Sequence, residues 1–193
     1  MSTKATARGD LTAEERAELL RVARRSLEEH FAGTGPFRPE PATATLGEKR
    51  GAFVTLHRAR GGDLRGCVGM MRSEESLVCT VARMAVSAAT EDGRFDPVTA
   101  AELPELQLEI SALGPVLPIR PDEVEVGQHG LLSRPEGRRG VLLPQVPVEP
   151  ARDRETVPEH TRLKAGQRPG TWREEGVELL GFTAEVFGEG GGS

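Results

Sequence analysis

The thiol of Cys67 is the first group to weigh for chemistry. It sits in Asp63-Leu64-Arg65-Gly66-Cys67-Val68-Gly69, two residues after Arg65 and flanked by Gly66 and Gly69. A guanidinium beside a thiol, with backbone amides freed by neighbouring glycines, favours the thiolate. A thiolate can attack an electrophile or bind a soft metal. The competing reading is structural: cysteine is a small hydrophobe and among the most buried residue types. Glycines inside a strand mark close approach of another backbone or a helix. The alanine-rich helix expected just downstream would supply it. Reactive cysteines need an identifiable activating site, and buried ones are commoner.

Strand register decides between these readings. An even-numbered loop around Gly61-Gly62 puts Cys67 on the face of Val54 and Leu56. An odd-numbered loop puts it beside Phe53, Thr55 and His57, a Cys-His neighbourhood. In both cases alternation would leave Arg65 and Cys67 on one face.

Other residues carry weaker chemistry. Glu109 and Ser111 can line a site as an acid/base group and a hydrogen-bonding group, or simply form the polar face of a strand. His129, before Gly130, can serve as a general base, although a single loop histidine is more often structural. Gln145 in Leu-Leu-Pro-Gln-Val can hydrogen-bond a ligand or backbone, and Lys164 before Ala-Gly can take a phosphate or carboxylate or remain a solvated lysine. Arg94 can receive an anion or pair with Asp92 or Asp96 in a rigid turn; the turn is favoured. Cys79 lies on a helix and reads as core.

The elements that must hold these groups follow from pattern. Thr12 with Glu15 forms a capping box, and Leu20, Ala23, Leu27 and Phe31 recur at helical spacing behind it. Gly33 ends that helix, and a proline-bearing loop runs to Lys49. Segments 51–58 and 64–69 read as a hairpin. Ser73 is expected to cap a second helix through 77–90, with Glu74 and Glu75 at its positive end. Thr99 and Glu102 form another capping box, opening a short turn before Pro104. Leu106–Leu113 alternates as a half-buried strand with Gln107, Glu109 and Ser111 on one face. A proline-rich connector follows, then a second hairpin from His129-Gly130-Leu131-Leu132-Ser133 and the segment 140–146. Residues 153–165 have weak helical character, and 177–187 reads as a terminal strand. Residues 1–9 and 189–193 read as disordered tails around one domain, 10–188. Strands paired as hairpins indicate an α+β fold with an antiparallel sheet packed by helices.

Composition narrows the function. The net charge of −5 and the 4% aromatic content argue against a nucleic-acid binder. No stretch approaches a membrane span, and the N-terminal residues lack the apolar core of a signal peptide, so cytoplasm is expected. The two cysteines and four scattered histidines form neither a disulfide framework nor a local zinc set. No cofactor signature, phosphate loop or catalytic triad is recognisable.

The order of several segments resembles the AMMECR domain family, the A component of the AmmeMemoRadiSam system. They are Gly51–Leu56, Leu64–Gly69, Ser87–Val98, Leu108–Leu113, His129–Leu132, Gly140–Val146 and Lys164–Gly166, covering nearly the whole chain outside its ends. The resemblance implies one α+β unit on an antiparallel sheet, with a smaller lobe and a cleft between. It also implies a pathway shared with Memo-like and radical-SAM proteins, of a modification or redox kind. The family's aromatics after Val-Pro-Val-Glu are absent here, and Arg162 stands where members carry a cysteine before Lys-Ala-Gly, which counts against a dithiol mechanism. The expected function is a binding or accessory component working with those partners. The alternative is an enzyme acting on a small metabolite, with Cys67 as nucleophile or ligand and Arg65 beside it.

Overall fold

The computed structural model describes residues 11–118, 129–134, 140–142 and 178–189. They divide between two compact units, Met1–Leu113 with Glu185–Ser193, and Gly114–Ala184.

The first unit opens with α1 (Ala13–Phe31). Its capping box forms as expected: Thr12 Oγ1 accepts the Glu15 N–H at 3.2 Å, and the Glu15 carboxylate accepts the Thr12 N–H at 2.9 Å. Thr43 donates to the other Glu15 oxygen at 2.6 Å, tying the following loop to the helix start. Gly33, at φ 70°, closes the helix in a left-handed conformation that glycine adopts without strain. The buried stripe consists of Leu19, Val22, Ala23, Ser26 and Leu27, while Leu20 and Phe31 are only partly buried. It is thus rotated from the expected stripe because α1 packs against both a second helix and a strand.

That second helix, α2 (Leu77–Thr90), starts behind Ser76, whose hydroxyl accepts the Cys79 N–H at 3.4 Å, and not behind Ser73. Ser73 instead accepts the Glu75 N–H at 3.1 Å in a turn ahead of the helix. The start is fixed from a distance. The Leu77 and Val78 amides donate to the carbonyls of Glu48 (2.8 Å) and Leu46 (3.2 Å), partners that no local pattern reveals.

Three antiparallel strands carry the helices: β1 (Ala52–Arg58), β2 (Leu64–Met70) and β3 (Leu106–Leu113), in the order β2-β1-β3. A short 3-10 turn, Leu103–Glu105, leads into β3. Alternation along β3 holds as expected through Ile110, with Leu106, Leu108 and Ile110 in the core and Gln107 exposed; from Ile110 to Leu113 both faces are buried, Ser111 included. Val54 and Leu56 of β1 join them against Val78, Val81 and Ala85 of α2 and Leu19, Ala23 and Leu27 of α1. One face of this sheet is therefore buried under both helices. Among the described residues no helix lies on the other.

In the second unit, β4 (Leu117–Pro118) and β5 (His129–Arg134) both pair antiparallel with β7 (Glu178–Gly188), and β5 pairs with β6 (Gly140–Leu142). The antiparallel pairing of β5 with β6 is as expected, residues 143–146 of the expected second strand lying outside the described residues; β4 lies within the segment read as a connector. The last residues of β7 return to the first unit, where Glu189 N–H donates to Leu108 O at 3.0 Å. Glu189, placed by sequence in a tail, also accepts Arg24 Nε at 3.0 Å and the Leu108 N–H at 3.0 Å. The weak helical segment 153–165 lies outside the described residues. The fold class is α+β with an antiparallel sheet. No helix among the described residues is long and apolar enough to cross a membrane.

Candidate functional site

The hairpin loop 58–63 holds an even number of residues, closed by Arg58 N–H to Asp63 O at 2.8 Å, with Gly61 and Gly62 at φ 89° and 70°. Parity alone would turn Cys67 toward Val54 and Leu56. A β-bulge reverses this. His57 pairs with Leu64, but Leu56 pairs with Gly66, so Arg65 is the extra residue and every later side chain of β2 changes face. Cys67 pairs with Thr55, on the side of Phe53 and His57 and away from the helices.

The bulge also separates the two groups that alternation would have kept together. Arg65 is 7% exposed; its Nε and Nη2 donate to the Glu102 carboxylate at 2.9 and 3.3 Å, and its Nη1 donates to Asp96 O at 2.9 Å. Glu102 also accepts the Thr99 N–H (2.9 Å) and hydroxyl (3.1 Å). With Arg65 as the chief cause and the Thr99 backbone next, against opposing burial, its carboxyl is pushed down to about 2. Arg65 and Glu102 thus clamp the segment after α2 onto the hairpin.

A different guanidinium approaches Cys67, through a shared carboxylate. The Cys67 N–H donates to Asp92 Oδ2 at 2.8 Å, and Arg94 grips the same carboxylate with Nε (2.9 Å) and Nη2 (2.7 Å). The favoured turn reading of Arg94 agrees with this pairing. Asp92, 7% exposed, is held well below the usual carboxylate range, first by the Arg94 side chain and, against burial, by the Cys67 N–H. Arg94 is raised in return, first by its bond to Asp92, and the charge of Cys67 when ionised adds to that. Because its N–H points outward to Asp92, Cys67 forms a non-hydrogen-bonded pair with Thr55, the kind that brings opposed side chains closest. Accordingly Thr55 Oγ1 donates to Cys67 Sγ at 3.4 Å.

Thr55 is opposed on its other side by Glu109 of β3. Cys67, Thr55 and Glu109 therefore form one row across three strands, all half-buried. Ser111, 2% exposed, sits in the next row opposite Phe53. The Phe53 ring occupies the space over Gly69, where a Cβ would collide with it. Gly66 answers a different need on the helix side, where a Cβ would strike the Ala88 carbonyl oxygen of α2. His57 Nδ1 donates to Gly62 O at 3.1 Å.

Of the residues singled out from sequence, Cys67, Glu109 and Ser111 share this sheet face, while the Arg65 side chain turns to Glu102. His129 is in β5, its backbone opposite Thr183. Gln145 and Lys164 lie outside the described residues. Cys79 is partly buried against the core and donates its S–H to Pro39 O at 3.3 Å. Sequence reasoning placed Thr55 beside Cys67 only in one of two registers and Asp92 only as a partner of Arg94; it missed the bond from the Cys67 N–H to Asp92, 25 residues away. Among the described residues no three His, Cys, Asp or Glu side chains are grouped to hold a metal ion.

The AMMECR1 family model matches residues 20–187. The chain belongs to the AMMECR1 family. Its relatives in that family include Protein MK0488 of Methanopyrus kandleri, 38% identical over 187 residues spanning 93% of this chain and 90% of the relative. Protein TK0174 of Thermococcus kodakarensis is 40% identical over 181 residues, 89% of this chain and 88% of the relative. The crystal structure of the uncharacterized protein PH0010 from Pyrococcus horikoshii superposes with a TM-score of 0.78 at 37% identity, covering 89% of both chains. The α+β sheet described above is thus the fold of an AMMECR1 relative solved by crystallography.

Proposed function

We propose that this AMMECR1-family chain is a binding component whose sheet face around Cys67 receives a ligand on which Memo-like and radical-SAM partners act in a modification or redox pathway. One observation carries the reading. The groups that would activate a nucleophile are engaged internally: Arg65 by Glu102 and Asp96 O, His57 Nδ1 by Gly62 O, and Asp92 by Arg94 and the Cys67 N–H. Among the described hydrogen bonds, only the Thr55 hydroxyl reaches the sulfur. A half-buried thiol with a hydroxyl and a carboxylate in line, and no base bonded to it, suits holding a ligand better than attacking one. The choice of partners rests on the family resemblance.

Co-purification of the tagged chain with a Memo-like and a radical-SAM protein tests this. The expected result is a complex with at least one of them that survives Cys67→Ser, since the serine preserves shape while removing the nucleophile. Failure to associate with either, together with Cys67-dependent turnover of a metabolite by the isolated chain, overturns the proposal.

A further inference from the structure

We infer that Arg94 is the specificity-determining residue of the Cys67 face, selecting ligands that carry an anionic group, carboxylate or phosphate, next to the atom that meets the sulfur. The inference rests on the binding reading above and adds the chemical class of the ligand.

Asp92 and Arg94 are unequal partners. The carboxylate is 7% exposed and faces inward to the Cys67 N–H, whereas the guanidinium is 58% exposed. The pair as a whole is neutral, but it turns its positive end to solvent beside Cys67, whose N–H shares the Asp92 carboxylate. Nε and Nη2 are committed to Asp92, while Nη1 makes none of the described hydrogen bonds. A guanidinium held along one edge keeps a fixed direction for its remaining N–H groups, the arrangement that recognises carboxylate and phosphate oxygens. The two residues meet on one atom: the Cys67 N–H and Arg94 Nη2 both donate to Asp92 Oδ2, at 2.8 and 2.7 Å. The opposite end of the row supplies the complement. Glu109 lies two strands from Cys67, about 10 Å away at ordinary strand spacing. The face is thus positive beyond the edge strand and negative on β3. An anionic group fits at the Arg94 end, and a donor or cation at the Glu109 end.

Two thiol reagents sharing one electrophilic carbon test this directly: iodoacetate, an anion, and iodoacetamide, which is neutral. In each case the sulfur forms an S–C bond and iodide leaves, so the ratio of the two rates isolates the effect of reagent charge. Labelling of the native chain is followed at Cys67 and Cys79 separately by peptide mass spectrometry. Cys67 is expected to favour iodoacetate relative to Cys79. Arg94→Gln should lower that ratio about fourfold, the effect of one unit charge about 5 Å away in water, and Arg94→Lys should keep most of it. Raising the salt should shrink the preference in the native chain. Labelling of Cys67 with a ratio indifferent to Arg94→Gln overturns the role of Arg94 and leaves the binding face standing. If neither reagent reaches Cys67 without denaturant, both the face and the inference fall. A far-ultraviolet circular dichroism spectrum confirms that each variant is folded.

Discussion

Gly66→Ala is expected to destabilise the first unit by about 3 kcal/mol, at the upper end of overpacking costs. The added Cβ would meet the Ala88 carbonyl oxygen, which is backbone and cannot rotate away. Relief requires α2 to move off β2, and both are fixed. Val98 N–H donates to Ala89 O at 2.8 Å just beyond the contact, and Arg65 beside Gly66 is clamped by Glu102. Gly93→Ala is the control, because nothing lies within 4 Å of a Cβ there and its expected effect is within about 0.5 kcal/mol. Urea unfolding of the two variants beside the parent gives the comparison. A loss below about 1 kcal/mol for Gly66→Ala would mean that helix and strand do not approach as closely as described.

Glu102→Gln should cost about 3 kcal/mol at pH 7. Removing one partner of a buried pair leaves the other charge uncompensated, and Arg65 has only Asp96 O to fall back on. Glu102 is itself 25% exposed, which keeps the figure at the low end of such losses. The pH dependence is distinctive. The folded carboxyl lies at about 2, below the ordinary 4.5. Its contribution is therefore complete above pH 4.5 and is lost as pH falls from there through about 2. Glu15 and Asp92 are also depressed, so the parent loses stability in acid for several reasons. The specific readout is the difference between parent and Glu102→Gln, which should close toward pH 2. A gap that persists unchanged in acid would show that the amide disturbs packing and not charge.

These residues show what could be read from sequence. Leu106–Leu113 was legible because a strand with one buried face writes its alternation directly into the chain. The capping box of α1 was legible because donor and acceptor are three residues apart. The close approach at Gly66 was legible as a type of contact, given a glycine in a strand and an alanine-rich helix after it. The start of α2 was not, since Ser73 and Ser76 are equivalent candidates until the carbonyls of Leu46 and Glu48 choose between them. The orientation of Cys67 was posed correctly as a question of parity, but a bulge changes parity without changing loop length. Arg65 and Cys67 were joined by an alternation the bulge removes. The guanidinium that does approach Cys67 was visible only as a turn residue, because Asp92 meets the Cys67 N–H through a contact 25 residues away in sequence.

The placement of the thiol on the helix-free face depends on that bulge, and a nuclear Overhauser spectrum of the labelled protein reports it without any substitution. A non-hydrogen-bonded antiparallel pair brings its two Cα atoms to about 4.5 Å, with the α-protons pointing at each other. A strong α-proton cross-peak between Cys67 and Thr55 is the expected result. A cross-peak joining Cys67 to Val54 instead would turn the sulfur under α2 and contradict the site.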